Sequence, residues 1–496
     1  MLAQSHLCQK REWVNSFLTA AFASVFLLLG TSQSASALPA FARKYGLRCS
    51  ACHESWPQLN NFGLKFRDNG FQLMNERDSP IWQNPSYWPV TFRITPIWHR
   101  VSSISAVDQS PTGVQRITSS GFDLSGLDFH TAGTLEKNIS FYVLPSSDST
   151  GAFHFETVMA RLDNIDGTPW LNFKLGRFEL NNLLSEKRTL LLTGNGGEYQ
   201  TYHFIPVGDG NIFGQMGDNQ LGLEYMGHSY DDRTRVSAAL LSSSDGNVNL
   251  ITGANSYSGF FTFDQAFDSG KLGVDRVGAY AFTGQAATYY LTSGGAPIGG
   301  SGIANKSFSR EGFYGQFYLG PHFDLNVVTQ HGQDNAWFGQ GYGDAIATNG
   351  NGSTTATCIN NPATGCPLDN VPGTKLPVGS QAPTWNGYTF EARYIYNPQL
   401  IFLAVYEAER MSRQANGPGY ISPVTGLLAP SPGNLGNINN YTIGYRYNPF
   451  MTSRAGFAYH GEFNVFHQDG TGPTNASGTA LNVNISELLF GFDFDF

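Results

Sequence analysis

The chain has 496 residues, only 14% of them charged, and holds 57 glycines, 37 phenylalanines and 23 tyrosines. Its formal net charge is -9 and it has no basic cluster, which argues against nucleic acid as a partner. Beyond Gly30 there is no run of about 18 apolar residues, so a membrane-embedded form must cross as a closed barrel rather than as helices.

The chain opens with a processing pattern. Lys10 and Arg11 form a positive start, Ser16 to Gly30 an apolar core, and Ala35-Ser36-Ala37 a small-residue cleavage site. This predicts a signal peptide over 1–37, export, and a mature chain from Leu38 that has lost Cys8. The other reading, a retained anchor, needs a longer apolar run.

Cys49-Ser50-Ala51-Cys52-His53 follows. C-x-x-C-H is the attachment pattern of a c-type haem. Two thiols on one side of a short turn can add to the two porphyrin vinyl groups, and the next histidine comes under the iron as proximal ligand. Half of a zinc site is the competing reading, but a structural zinc needs four ligands and no second Cys/His pair at ligand spacing follows. The expected cofactor is one covalent haem c on Cys49 and Cys52, with His53 on the iron. Attachment outside the cytoplasm agrees with export.

The expected haem segment spans 38–88 and reads as short and helical: Glu54 to Asn60 follows the haem histidine, and Asn61 to Phe71 has apolar and charged residues at helical spacing, with Gly70 as a C-cap. Phe62, Phe66 and Phe71 could pack on a porphyrin or simply hold this small unit together. For the distal iron position Met74 is the candidate, and a Met/His pair raises haem potential. Met74 could equally be a gap-filling residue; His99 or an open position are the alternatives.

From about Val90 the pattern becomes segments of roughly ten residues with alternating polarity, broken by turn residues, as a transmembrane barrel requires. Tyr441, Ile443, Tyr445 and Tyr447 share one face against Thr442, Gly444 and Arg446, and Leu488, Phe490, Phe492, Phe494 and Phe496 oppose Leu489, Gly491, Asp493 and Asp495. Alternation alone also fits a soluble sandwich, but the aromatic face, terminal phenylalanine and export signal favour an outer-membrane barrel over 89–496. Counting back from Phe496 gives sixteen strands, tight turns alternating with long loops, and both termini in the periplasm. One tight turn is expected at Tyr447-Asn448-Pro449, and Tyr199 to Phe204 reads as an extra strand or a loop helix. Cys358 and Cys366 sit in the longest loop, where an oxidising compartment favours a disulfide over two free thiols.

Leu38-Pro39-Ala40-Phe41-Ala42-Arg43-Lys44-Tyr45-Gly46, the haem pentad, and then Trp56-Pro57, Leu59, Phe62-Gly63, Phe66 and Gly70-Phe71 resemble the N-terminus of the fused monohaem cytochrome–porins of the outer membrane, which include an iron-oxidising type. The detailed match covers about 35 residues, and the layout of signal, single haem and barrel is similar throughout. The resemblance implies that Cys49, Cys52 and His53 hold the haem and that the protein transfers electrons, acting as an Fe(II) oxidase if ferrous iron is the donor. The hydrocarbon layer is about 30 Å thick, so a haem hanging below the barrel could not serve a donor outside the cell. A segment of about 50 residues has a radius of gyration of roughly 10 Å, which predicts a plug inside the lumen beside Glu224, Glu391, Arg393 and Arg446. Two functions result: a redox conduit from an extracellular donor such as Fe(II) to a periplasmic cytochrome or other carrier, or a diffusion porin whose haem segment is a structural or regulatory plug. Outer-membrane lipid is the expected surrounding of both.

Overall fold

The structure is a computed structural model that describes residues 39–55, 58–83, 89–103, 116–147, 151–182, 184, 191, 200–204, 216, 219–242, 257–268, 274–288, 304–333, 383–413, 437–451, 455–469 and 482–495. The expected signal segment, the Cys358 and Cys366 pair and Phe496 lie outside the described residues.

Sixteen strands close one antiparallel barrel among the described residues. They are β3 (Val90–Ser103), β4 (Ile117–Glu136), β5 (Ile139–Ser147), β6 (Phe153–Leu162), β7 (Asn172–Phe178) and β8 (Gln220–His228). The next are β9 (Thr234–Ser242), β10 (Tyr257–Asp268), β11 (Val274–Thr288), β12 (Ala304–Tyr318) and β13 (Phe323–Gln333). The last are β14 (Thr384–Asn397), β15 (Leu400–Arg413), β16 (Ile438–Met451), β17 (Gly456–Gln468) and β18 (Val483–Asp495). Each strand pairs with its sequence neighbours, and β18 closes on β3, with Leu488 opposite Arg100 and Asp495 opposite Arg93. Closure leaves no sheet edge, which matters because each unpaired backbone group in hydrocarbon costs several kcal/mol.

The wall is inside-out relative to a soluble sheet. Phe261, Phe263, Phe313, Phe390, Phe402, Ile443, Phe463 and Phe490 stand exposed on the outer face. On the same strands Thr262, Asp264, Arg393, Glu407, Thr442, Glu462 and Asp493 are buried inside. A continuous apolar exterior of this kind is intolerable in water and is what a lipid-facing barrel needs. The barrel is therefore of the porin-like outer-membrane type, as the alternation predicts, and the sandwich reading falls.

Short connections such as 137–138, 319–322 and 398–399 alternate with long ones, of which 179–219 and 334–383 are the longest. The turn expected at Tyr447-Asn448-Pro449 is displaced. β16 runs on to Met451, and its register jumps from Tyr447 opposite Tyr459 to Phe450 opposite Phe457, so Asn448 and Pro449 form a bulge against one residue. Proline has no N–H to give the ladder, and a bulge accommodates it.

Ahead of the barrel lie α1 (Pro39–Tyr45), α2 (Cys49–Cys52), the two short strands β1 (His53–Ser55) and β2 (Gln58–Leu59), and α3 (Asn61–Asp68). The haem segment, expected to be helical, also holds the short β1–β2 pair just after α2, with His53 opposite Leu59. The helix expected from Asn61 is present. Asn60 caps it by accepting the Gly63 N–H at 2.9 Å, and Gly70, at φ 73°, ends it in the left-handed conformation.

Candidate functional site inside the barrel

Inward-facing groups of the wall hold described residues between Ala40 and Phe71 within the lumen. The Ala40 N–H donates to Thr91 Oγ1 at 3.2 Å, and Lys44 Nζ donates to Thr134 Oγ1 at 3.2 Å. Tyr45, Phe66 and Phe71 form an apolar cluster with Ala132 of β4, with Tyr142 and Met159 packed against it. Phe41 and Phe71 stack, and Phe41 and Tyr45 meet Phe66 edge-on.

The C-terminal end of α3 is the main attachment point. Arg161, on the inner face of β6, donates to the Arg67 carbonyl at 2.7 Å and the Asp68 carbonyl at 2.9 Å. Both carbonyls are in the last turn of α3, where the Arg67 carbonyl also accepts the Gly70 N–H at 3.1 Å, and a guanidinium there complements the negative end of the helix dipole. Arg161 is itself paired with Asp163 at 2.8 Å, and Asp163 also accepts from Ser140 Oγ at 2.5 Å. Asp68 is ion-paired with Arg235 of β9. Lys65 donates to the Tyr230 carbonyl at 3.0 Å in the short turn after β8, so the plug sits toward the short-turn end. A side chain at Gly70 would drive its Cβ into the Asp163 carboxylate.

The pentad occupies α2 and the start of β1. Asn60 ties it to α3: its N–H donates to the Cys52 carbonyl at 2.9 Å and its Nδ2 to the Ala51 carbonyl at 3.1 Å. α3 crosses so closely that a Cβ on Gly63 would run into the Cys52 carbonyl. Cys52 and His53 are both buried. Burial pushes the Cys52 thiol up to about 11, so it is neutral at ordinary pH.

A cavity of about 350 Å³ lies between these contacts, lined by this segment on one side and by the inner wall of β3 to β8 on the other. On the plug side it is bordered by Cys52, His53, Leu59, Phe66 and Phe71. The wall contributes Arg93, His130, Tyr142, Met159, Lys174 and Met226. The sequence-expected residues divide accordingly. Cys52, His53, Phe66 and Phe71 meet at one cavity, whereas Phe62 is exposed and outside its lining. Met74 is 53% exposed in a left-handed turn, with its sulfur 3.8 Å from Asn164 Nδ2, and does not border the cavity. His99 lies on β3 with Nδ1 3.2 Å from Glu487, also away from the lining. Of the expected lumen charges, Glu224 accepts the Asn181 N–H and pairs with Lys174 at 2.5 Å. Glu391, Arg393 and Arg446 are buried in the inner wall, with Arg393 paired to Asp324 at 2.6 Å. His130, Met159, Arg161 and Met226 were not singled out by sequence; alternation puts them inward but gives no sign of which height they occupy.

A second element enters the lumen. α4 (Gln200–His203), the loop-helix alternative for that stretch, docks on β13 to β15. Gln330 Nε2 donates to the Thr201 carbonyl at 2.7 Å and the Gln200 N–H donates to Glu407 at 2.7 Å.

No protein-family model matches the chain, and no curated protein is similar to it. Among solved structures, the chain is similar to an anion-selective porin from Comamonas acidovorans at 11% identity, over 82% of this chain and 98% of that one, with a TM-score of 0.48. It is also similar to the outer membrane channel DcaP of Acinetobacter baumannii at 9% identity, over 82% and 96%, with a TM-score of 0.45. Pseudomonas putida OprB gives 10% identity, over 82% and 94%, with a TM-score of 0.45. Nothing about solute or selectivity transfers from them at these values.

Proposed function

We propose that this is an outer-membrane electron-transfer protein holding one covalent haem c in its lumen, with Cys49 and Cys52 as attachment points and His53 as proximal iron ligand. The observation that carries the proposal is the position of the pentad: Cys52 and His53 are buried at the edge of a cavity inside a membrane barrel. The lining suits the group. Phe66, Phe71 and Tyr142 supply apolar and aromatic surface for a porphyrin, and Met159 and Met226 add two thioethers. When bound, a haem supplies a one-electron iron couple. The chain's own residues do the rest: the Asn60 and Gly63 contacts fix the turn that carries the thiols, the aromatic cluster excludes water, and the Arg161 bonds keep the segment in the lumen. The donor is extracellular, Fe(II) being the candidate, and the acceptor is a periplasmic cytochrome or another carrier.

A second reading has its own support. The barrel is a porin-like channel fold in its own right, and this favours a diffusion porin in which the 39–83 segment is a structural or regulatory plug. One experiment separates the two. An impermeant reductant is added outside intact cells and the reduced haem absorbance is followed. Reduction that disappears in cells lacking this protein supports the conduit; a haem reached only after the outer membrane is broken supports the plug.

A further inference from the structure

Resting on that reading, we propose that the barrel wall supplies the distal iron ligand and that the ligand is the Met159 thioether. The His53 cavity is bordered by one wall imidazole, His130, and two wall thioethers, Met159 and Met226. His130 has its Nδ1 2.7 Å from the Tyr142 hydroxyl, but its Nε2, 3.9 Å from the Asp128 carboxylate, is beyond hydrogen-bond reach. His130 is therefore the imidazole alternative, and wild-type protein without the methionine band is the result that His130 ligation predicts. Met159 stands between Thr157 and Arg161 on the inner face of β6, and all three border the cavity. It packs against both apolar clusters that contain plug residues, one with Tyr45, Phe66 and Phe71 and the other with Leu59 and Leu64. Met226 belongs to neither of these clusters. The β7 residue paired with Met159 is Gly176, so no side chain stands beside it on that strand. A flexible thioether suits that place, because it shares the cavity with His53 and its unbranched side chain can adjust its rotamer.

The arrangement has a mechanical consequence. Held by His53 of the plug and Met159 of the wall, a haem iron would tie the plug to the wall, and a Met/His pair would raise its potential.

The test uses purified holoprotein: wild type, Met159→Leu, Met159→His, Met226→Leu and Met74→Leu. Leucine conserves volume, so folding is little affected. Two properties are read: the long-wavelength methionine-to-iron(III) charge-transfer band, and carbon monoxide uptake by the reduced protein. Wild type should show the band and bind no carbon monoxide. Met159→Leu should lose the band and bind it, and Met159→His should return to a six-coordinate, low-spin iron without the band. A band that survives in Met159→Leu, or that is lost in Met226→Leu or Met74→Leu, overturns the assignment. Wild-type protein without covalent haem would overturn the function itself, a result that haem staining separates from loss of one ligand.

Discussion

Replacing Arg161 with methionine should loosen the plug while leaving the barrel closed. The guanidinium is 2% exposed and makes two bonds to the α3 terminus, at 2.7 and 2.9 Å, and one ion pair to Asp163 at 2.8 Å. Hydrogen bonds to charged groups contribute about 1.5–3 kcal/mol each, and leaving a buried partner such as Asp163 uncompensated costs about 3–5 kcal/mol. These effects overlap, so a net loss of about 4 kcal/mol in docking is a fair expectation, which is roughly a thousandfold in the open-to-docked ratio. The strands keep their ladders, because none of these bonds is between strands. Hydrogen exchange read by mass spectrometry on peptides covering 61–71 should show protection falling by up to that factor while β10 to β18 stay protected. Single-channel recording should show larger openings. Adding Asp163→Asn should restore part of the protection, since it removes the stranded charge. Wild-type protection over 61–71 in Arg161→Met would refute the assignment of Arg161 as the fastening.

Gly63→Ala should cost about 1–3 kcal/mol, as overpacking does, because its Cβ meets the Cys52 carbonyl and the backbone must give; the haem-to-protein ratio should fall with barrel assembly unchanged. Burial, opposed by Asp78, lowers the Lys44 ammonium to about 8 from 10.5. The docked segment then holds fewer protons than the undocked one across that window, so docking tightens as pH rises from about 8 toward 10.5. Conductance openings should become rarer between about pH 8 and about pH 10.5 in wild type and show no such change in Lys44→Met.

The barrel was legible because its two solvents write opposite faces. Tyr441 and Ile443 meet lipid and Thr442 meets the lumen, so alternation alone fixes which way each residue points. The haem chemistry proposed for the pentad rests on the sequence, because three side chains in five positions have one common use. The seating of the plug was not legible. Arg161, Asp163 and Arg235 read only as inward polar residues, and pairing them with the α3 terminus needs the height of each strand in the barrel, which turn lengths leave uncertain by several residues. The same gap explains Met74. Its distance along the chain suited an iron ligand, but the turn held by Asp78, which accepts the Leu73 and Asn75 N–H groups at 2.8 and 2.9 Å, leaves it away from the cavity.

Covalent attachment at Cys49 and Cys52 is the point on which the account turns. The protein is produced by export in a host that makes c-type cytochromes, resolved by denaturing electrophoresis and stained for haem peroxidase activity. Wild type should carry the stain at its own band, and Cys49→Ala with Cys52→Ala should give an assembled barrel without it. Stain persisting in the double variant, or absent from wild type, would contradict the account.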